Sequence, residues 1–286
     1  YNTAEKSVVY ALRANIFERN NRMTDSSILT ADPKNTAKKL ETFRSIRPLV
    51  HCITNEVVQE ITANVLLAAG ASPAMVVGEG ETEQFASIAN AVSVNVGTPY
   101  ENRVAIMKKA ARAASEAGRP WVLDPVAAGG MPWRDKIIFE LLELGPAAVR
   151  GNASEIRFLA GVGTGGKGVD SLDSSEQAVE AAKTLAKKYK TLVVVTGETD
   201  YATDGERVLA ARGGNPMITL VVGTGCSLSS LLAGFIGANG ASVETCIACC
   251  DYVNRAGELA AARAKGPGSF HCEYLDALWL LQPGDF

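Results

Sequence analysis

Short apolar runs alternate along this chain with longer amphipathic stretches, and that alternation limits the fold more than any other feature. Leu49–Ile53, Ala74–Val77, Val92–Val96, Trp121–Leu123, Ala147–Val149 and Leu192–Val195 read as strands. Between them Glu56–Ala69, Glu81–Ala89, Glu101–Ala117 and Ser174–Tyr189 are rich in Ala, Leu, Glu and Lys. Their apolar residues recur three or four positions apart, which predicts helices. Strands separated by helices of this length pair in parallel, in a sheet covered on both faces. The expected fold is α/β, with three layers, α/β/α, around a central and mostly parallel sheet.

The rhythm breaks between Thr199 and Leu220. There Tyr201–Thr203 and Arg207–Ala211 flank the turn residues Asp204 and Gly205 and predict a hairpin. Helix-like segments at Ser227–Gly237, Val243–Ala264 and Tyr274–Leu281 follow. Neither a linker nor a repeat interrupts the pattern, so one domain is expected over residues 46–286. Residues 1–45 read as an N-terminal extension of unclear role, in which Met23 is a candidate start.

The net charge of −3 comes from 28 basic and 31 acidic residues spread through the chain. No basic stripe suits a nucleic-acid backbone, so nucleic acid is not an expected partner. No apolar run reaches the roughly 18 residues of a membrane-spanning helix, so no membrane association is expected. Tyr1–Arg22 lacks the apolar core of a signal peptide, which makes the cytoplasm the expected location. The 6 cysteines lack zinc-site spacing, and Cys246, Cys249 and Cys250 lie in an alanine-rich apolar segment that suits buried thiols.

Two glycine clusters compete as phosphate sites. Gly161-Val-Gly-Thr-Gly-Gly-Lys167 fits the first positions of a P-loop but has Gly168 where a hydroxyl must meet Mg²⁺, and a helix pattern precedes it. Val221-Val-Gly-Thr-Gly-Cys-Ser227 is better placed, since an apolar run enters it and a long helix pattern leaves it. Gly223 and Gly225 would let the backbone turn and present the N–H groups around Thr224 to an anion, with the positive end of a helix behind them. Cys226, at the mouth of that helix, reads either as a base with a lowered thiol pKa or as a small packing residue. Asp124 and Glu155 follow strands. At the carboxyl edge of such a sheet both could reach Mg²⁺. Asn152-x-x-Glu155 also fits a helix cap.

Taken in order, several motifs resemble the hydroxyethylthiazole kinases of the ribokinase-like superfamily from about Pro48 to Leu281. They are Val50-His-Cys-Ile-Thr-Asn55, Gly70-Ala-Ser-Pro-Ala-Met75, Asn95-Val-Gly-Thr98, Leu123-Asp-Pro-Val126, Arg150-Gly-Asn-Ala-Ser-Glu155, Val195-Thr-Gly-Glu198, Val222-Gly-Thr-Gly-Cys226 and Gly266-Pro-Gly-Ser-Phe270. The resemblance implies a ribokinase-like fold and ATP-dependent phosphorylation of 4-methyl-5-(2-hydroxyethyl)thiazole in thiamin synthesis or salvage, with Mg²⁺. It implies thiazole contacts at Met75 and Gly223, with Asn55, Gly97 and Thr98 lining the same pocket. ATP contacts fall at Arg150 and Thr196, beside the nest of Thr224 and Gly225, and the Mg²⁺-associated acids are Asp124 and Glu155. Cys226 stands where many superfamily relatives carry a catalytic Asp. The resemblance also implies a homotrimer with active sites between subunits. The nearest alternative is another ribokinase-like enzyme, such as a pyridoxal or pyrimidine kinase or a hydrate dehydratase. A more distant one is a non-catalytic thiazole sensor.

Overall fold

The structure, a computed structural model, describes residues 28–162 and 174–286. A short strand β1 (Leu29–Thr30) leads into helix α1 (Pro33–Ile46), whose start is fixed by Pro33 and by Asp32, which accepts the Lys34 amide at 3.0 Å. The expected alternation follows in β2 (Leu49–Ile53), α2 (Gln59–Ala69), β3 (Ser72–Ala74), α3 (Thr82–Ile88), β4 (Ala91–Asn95) and α4 (Glu101–Glu116). It continues through β5 (Trp121–Asp124), α5 (Pro132–Leu142), β6 (Ala148–Asn152) and α6 (Ala153–Leu159). After it come α7 (Ser174–Tyr189), β7 (Leu192–Thr196) and the hairpin β8 (Thr199–Thr203) and β9 (Val208–Arg212). A 3₁₀ turn at Pro216–Leu220 precedes the long helices α8 (Thr224–Asn239), α9 (Val243–Arg263) and α10 (Pro267–Leu280).

All the strands of the described residues join one 9-stranded sheet in the order β1-β9-β8-β7-β6-β5-β4-β2-β3. Only β8 runs against its neighbours. Side chains alternate across each strand, so every central strand feeds two cores. Trp121, Leu123, Val193 and Val195 point to the core under α3 to α7, whereas Val122 and Val194 point to the core under α1, α2, α8, α9 and α10. The second face carries small residues where α8 crosses it: Ala91 and Ala148 are buried there, and Ser230 donates its hydroxyl proton to Ser93, or accepts one, at 2.9 Å. Small residues on the sheet let a helix lie close to the strands.

Two expectations need correction. The boundary near residue 46 cuts through packed structure, because β1 pairs with β9 and α1 buries Leu40 and Phe43 completely. Phe43 stacks on Phe235 with ring centroids 4.5 Å apart. Only Thr36, Leu40 and Phe43 of α1 are buried, so its apolar stripe is too thin to stand out among lysines. The third strand is Ser72–Ala74 rather than Ala74–Val77, since Pro73 is tolerated on an edge strand and Val77 is exposed. Residues 1–27, with Met23, and most of the P-loop lookalike lie outside the described residues; its described start, Gly161, follows α6 rather than a strand. No helix of the described residues is long and apolar enough to cross a membrane.

Phe43→Ala is expected to cost about 3–5 kcal/mol in urea denaturation, the usual range for emptying a buried aromatic site. A loss below about 1 kcal/mol would mean that α1 does not share the cooperative core.

Candidate active site

Parallel pairing brings the carboxyl ends of β2, β4, β5, β6 and β7 to one edge, with Asn95 beside Asp124 and Asn152 beside Thr196 in register. The N-terminus of α8 arrives at the same edge. Most of the expected site residues therefore meet, although they come from distant parts of the chain. Met75 sits one residue beyond β3, partly buried against the core that α2 and α8 share.

At the centre is a hydrogen-bonded series that ends on the thiol. Ser229 Oγ and Asn95 Nδ2 both donate to Asp124 Oδ2, each at 2.8 Å. Asn95 Oδ1 accepts from Gly97 N at 2.9 Å and from Asn55 Nδ2 at 3.0 Å. The same Asn55 amide reaches Cys226 Sγ at 3.6 Å. Burial pushes the Asp124 carboxyl up to about 6; the Arg150 charge opposes this, Glu155 adds to it, and the bonds from Ser229 and Asn95 hold it down. Asn95 and Ser229 are functional neighbours that sequence reasoning did not single out. For Asn95 the available signal is a polar residue ending an otherwise apolar strand.

Of the two readings of Cys226, the surroundings disfavour the base with a lowered thiol pKa. Burial raises its thiol pKa, and the charge of Asp124 raises it further, while Asn95, Arg150 and Asn55 act in the other direction. The helix N-terminus does not make this thiol acidic, because the thiol is largely shielded from water and faces a carboxylate.

The glycine turn is made by Gly223 alone, since Gly225 lies within the first turn of α8. Gly223 caps α8 with φ +89°, and a Cβ there would lie 2.5 Å from Ile61 and 2.8 Å from Val58. No side chain caps this end, so the first-turn N–H groups remain for an anion. The Thr224 hydroxyl is not among them, since it donates to Ile218 O at 2.8 Å and braces the 3₁₀ turn. Arg150 ties the nest to the strands: Nη1 donates to Gly225 O at 3.0 Å and Nη2 to Thr196 Oγ1 at 2.5 Å.

Two further residues fix the turn after β2. Thr98 Oγ1 accepts from Glu56 N at 3.1 Å, and the almost fully buried Arg103 donates to Thr54 O. Gly97 packs so closely that a Cβ would sit 2.7 Å from the Asn55 side chain.

Glu155 closes a capping box, accepting Asn152 N at 2.8 Å on Oε2 and giving its own N–H to Asn152 Oδ1 at 3.0 Å. Its Oε1 accepts Ala127 N at 2.8 Å. Each oxygen keeps a lone pair, so the cap leaves coordinating capacity. Among the described residues no three His, Cys, Asp or Glu side chains group as a metal site by themselves.

The hydroxyethylthiazole kinase family model matches residues 40–283, from within α1 to beyond α10. This chain belongs to that family. A hydroxyethylthiazole kinase of Escherichia coli O81 (strain ED1a) is 51% identical over 246 residues, covering 86% of this chain and 94% of the relative. The solved hydroxyethylthiazole kinase of Pyrococcus horikoshii OT3 is similar at 36% identity and a TM-score of 0.80, over 87% of this chain and 94% of that one. A ribokinase-like superfamily protein of Enterococcus faecalis V583, at 12% identity and TM-score 0.64 over 90% and 98% of the two chains, shares the fold. The ribokinase-like architecture of the hydroxyethylthiazole kinase family is thus the one this sheet adopts, and the family is an enzyme family.

The Asp124 carboxyl titrates near 6 in the fold against an ordinary value of 3.8. In the unfolded chain it ionises first, so stability falls as pH rises from about 4 to 6, and the full cost above that is roughly 3 kcal/mol. In chelator-treated, nucleotide-free buffer, Asp124→Asn is expected to be more stable than wild type at pH 7 by up to roughly that amount. The gain should vanish below about pH 4. Urea midpoints measured across this range check it, and parallel profiles for the two proteins would refute it.

Proposed function

We propose that this protein transfers the terminal phosphoryl group of ATP to the primary hydroxyl of 4-methyl-5-(2-hydroxyethyl)thiazole, yielding the thiazole phosphate and ADP for thiamin synthesis or salvage. The observation that carries this reading is the uncapped N-terminus of α8, set beside Asp124 and Cys226 at the carboxyl edge of the sheet. Phosphoryl transfer asks a protein mainly for positioning and for stabilisation of charge on the moving group. The N–H groups of the nest and the Arg150 guanidinium supply both.

The thiazole belongs on the side of Met75, Asn55 and Gly97, and the nucleotide on the side of Arg150 and Thr196. Directly beyond Thr196 a cleft of about 840 Å³, lined by Gly197, Thr199, Gly213, Asn215 and Asn254 among others, is roomy enough for the nucleoside. Cys226 is a protonated thiol at neutral pH, so its role is to orient the acceptor hydroxyl. The hydroxyl proton leaves late, once the new O–P bond has made the oxygen acidic, and passes to a phosphoryl oxygen or to water, so no strong base is needed.

Asp124 and Glu155 are the residues that would hold Mg²⁺, an ion that takes one or two carboxylates and completes its shell with waters and phosphates. The donor set fits, because the charge of Glu155 helps to raise the Asp124 carboxyl and a cation between them would relieve that repulsion. When bound, the ion would neutralise charge on the phosphates.

The family resemblance points to a homotrimer with sites between subunits. Val57, Leu220 and Val222 support it, being 63%, 66% and 68% exposed where the α2 entry and the 3₁₀ turn flank Gly223. The cytosol is the compartment we assign, as all the cysteines are free thiols.

Phosphorus NMR with the thiazole alcohol, pyridoxal and hydroxymethylpyrimidine tests the acceptor; only the first is expected to be phosphorylated, and phosphorylation of pyridoxal alone would sink the reading. In the same assay Cys226→Ala should bind both substrates and keep turnover within about 100-fold of wild type, less than the loss of an obligatory base would cost. Val222→Glu should shift the protein from trimer toward monomer in sedimentation velocity; a wild-type protein that sediments as a monomer at all concentrations would remove the trimer.

A further inference from the structure

Asp200 is a buried acid for which the transfer has no use. It lies on β8, 5% exposed, and each carboxylate oxygen has one donor. Oδ1 accepts the Gly197 backbone N–H at 3.1 Å, and Oδ2 accepts Asn254 Nδ2 at 3.0 Å. Those donors stand on different walls of the cleft beyond Thr196: Gly197 in the turn between β7 and β8, Asn254 on α9. One side chain therefore links the two walls from below.

Packing alone does not account for an acid in this place. Burial raises the Asp200 carboxyl pKa, and the bonds from Gly197 and Asn254, with the charge of Arg150, only partly offset this. An apolar side chain would avoid the cost of taking a charge out of water. The turn that Asp200 holds also follows directly on Thr196, whose hydroxyl accepts from Arg150.

We propose that Asp200 is a positioning residue for the nucleotide, fixing the Gly197 turn and Asn254 at the separation that the nucleoside of ATP requires. The proposal rests on the placement of the nucleotide given above. It concerns affinity for ATP and leaves the thiazole side of the site untouched.

Steady-state kinetics of the full chain with both substrates varied provide the test. Asp200→Ala releases both walls, and the KM for ATP should rise about tenfold, the equivalent of one or two lost hydrogen bonds. The kcat and the KM for the thiazole alcohol should stay within about twofold. Asp200→Asn keeps an oxygen for Gly197, and the Asn254 amide can turn over to accept from the new amide, so its KM for ATP should stay within about threefold of wild type. Asn254→Ala, which frees one wall and leaves the core intact, should raise the KM for ATP severalfold and carries the test if Asp200→Ala does not fold. A fall in kcat, an equal rise in both KM values, or an Asn variant as impaired as the Ala variant would overturn the proposal. Thr219→Trp separates it from the placement it rests on. If filling the cleft leaves the KM for ATP unchanged, the nucleotide lies elsewhere and both ideas fail. If the KM rises but Asp200→Ala has no effect, only the role of Asp200 fails.

Discussion

Asp124 carries a charge where water hardly reaches it, and the arrangement of the site follows from that constraint. A buried carboxylate must be met by donors. Here they are the amide of Asn95 from the neighbouring strand and the hydroxyl of Ser229 from the second turn of α8. The bond to Ser229 ties α8 to the end of β5, and so places the free N–H groups of its first turn over the strand ends. Asn95, its nitrogen committed to Asp124, offers its oxygen to Asn55, which turns the Asn55 nitrogen toward Cys226. The thiol is thus shielded from water and lies in the field of a carboxylate, which together explain why its helix end does not acidify it.

Much of the fold is legible in the chain because strand and helix differ in period. Leu49–Ile53 and Ser174–Tyr189 fall where the pattern places them. Helix α5 escapes notice because its apolar stripe, Ile137, Ile138, Leu141 and Leu142, spans little more than one turn, too short a repeat to stand out. Strand β1 and helix α1 escape because their place is decided by partners far along the chain, such as Asp251, which accepts from Thr36 at 2.7 Å across 215 positions. Local pattern carries no information about such contacts.

The site divides in the same way. Gly223, Asp124 and Glu155 announce themselves by position, next to turns and strand ends, and Arg150 and Thr196 by resemblance. What joins them does not: Ser229 and Asp124 lie 105 positions apart, and neither has a neighbour that foretells the other. The two glycine clusters show that context outweighs a motif. Gly161 follows a helix, whereas Gly223 opens one at the ligand edge, though a 3₁₀ turn rather than a strand leads into it.

The reversal of β8 has a consequence for how this chain could be altered. Because β8 alone runs backwards, the turn before it and the loop after β9 both reach the ligand edge, while the hairpin tip at 204–206 is sent to the opposite edge. That tip is held by short-range bonds, Asp204 accepting the Glu206 and Arg207 amides, and by ion pairs of Glu206 with Lys187 on α7 and of Arg207 with Glu244 on α9. A change in length there stays outside the cleft beyond Thr196, whereas the same change at 197–199 or 213–219 would reshape the walls of that cleft. One backward strand thus separates a region open to variation from one bound to chemistry, only a few residues apart along the chain.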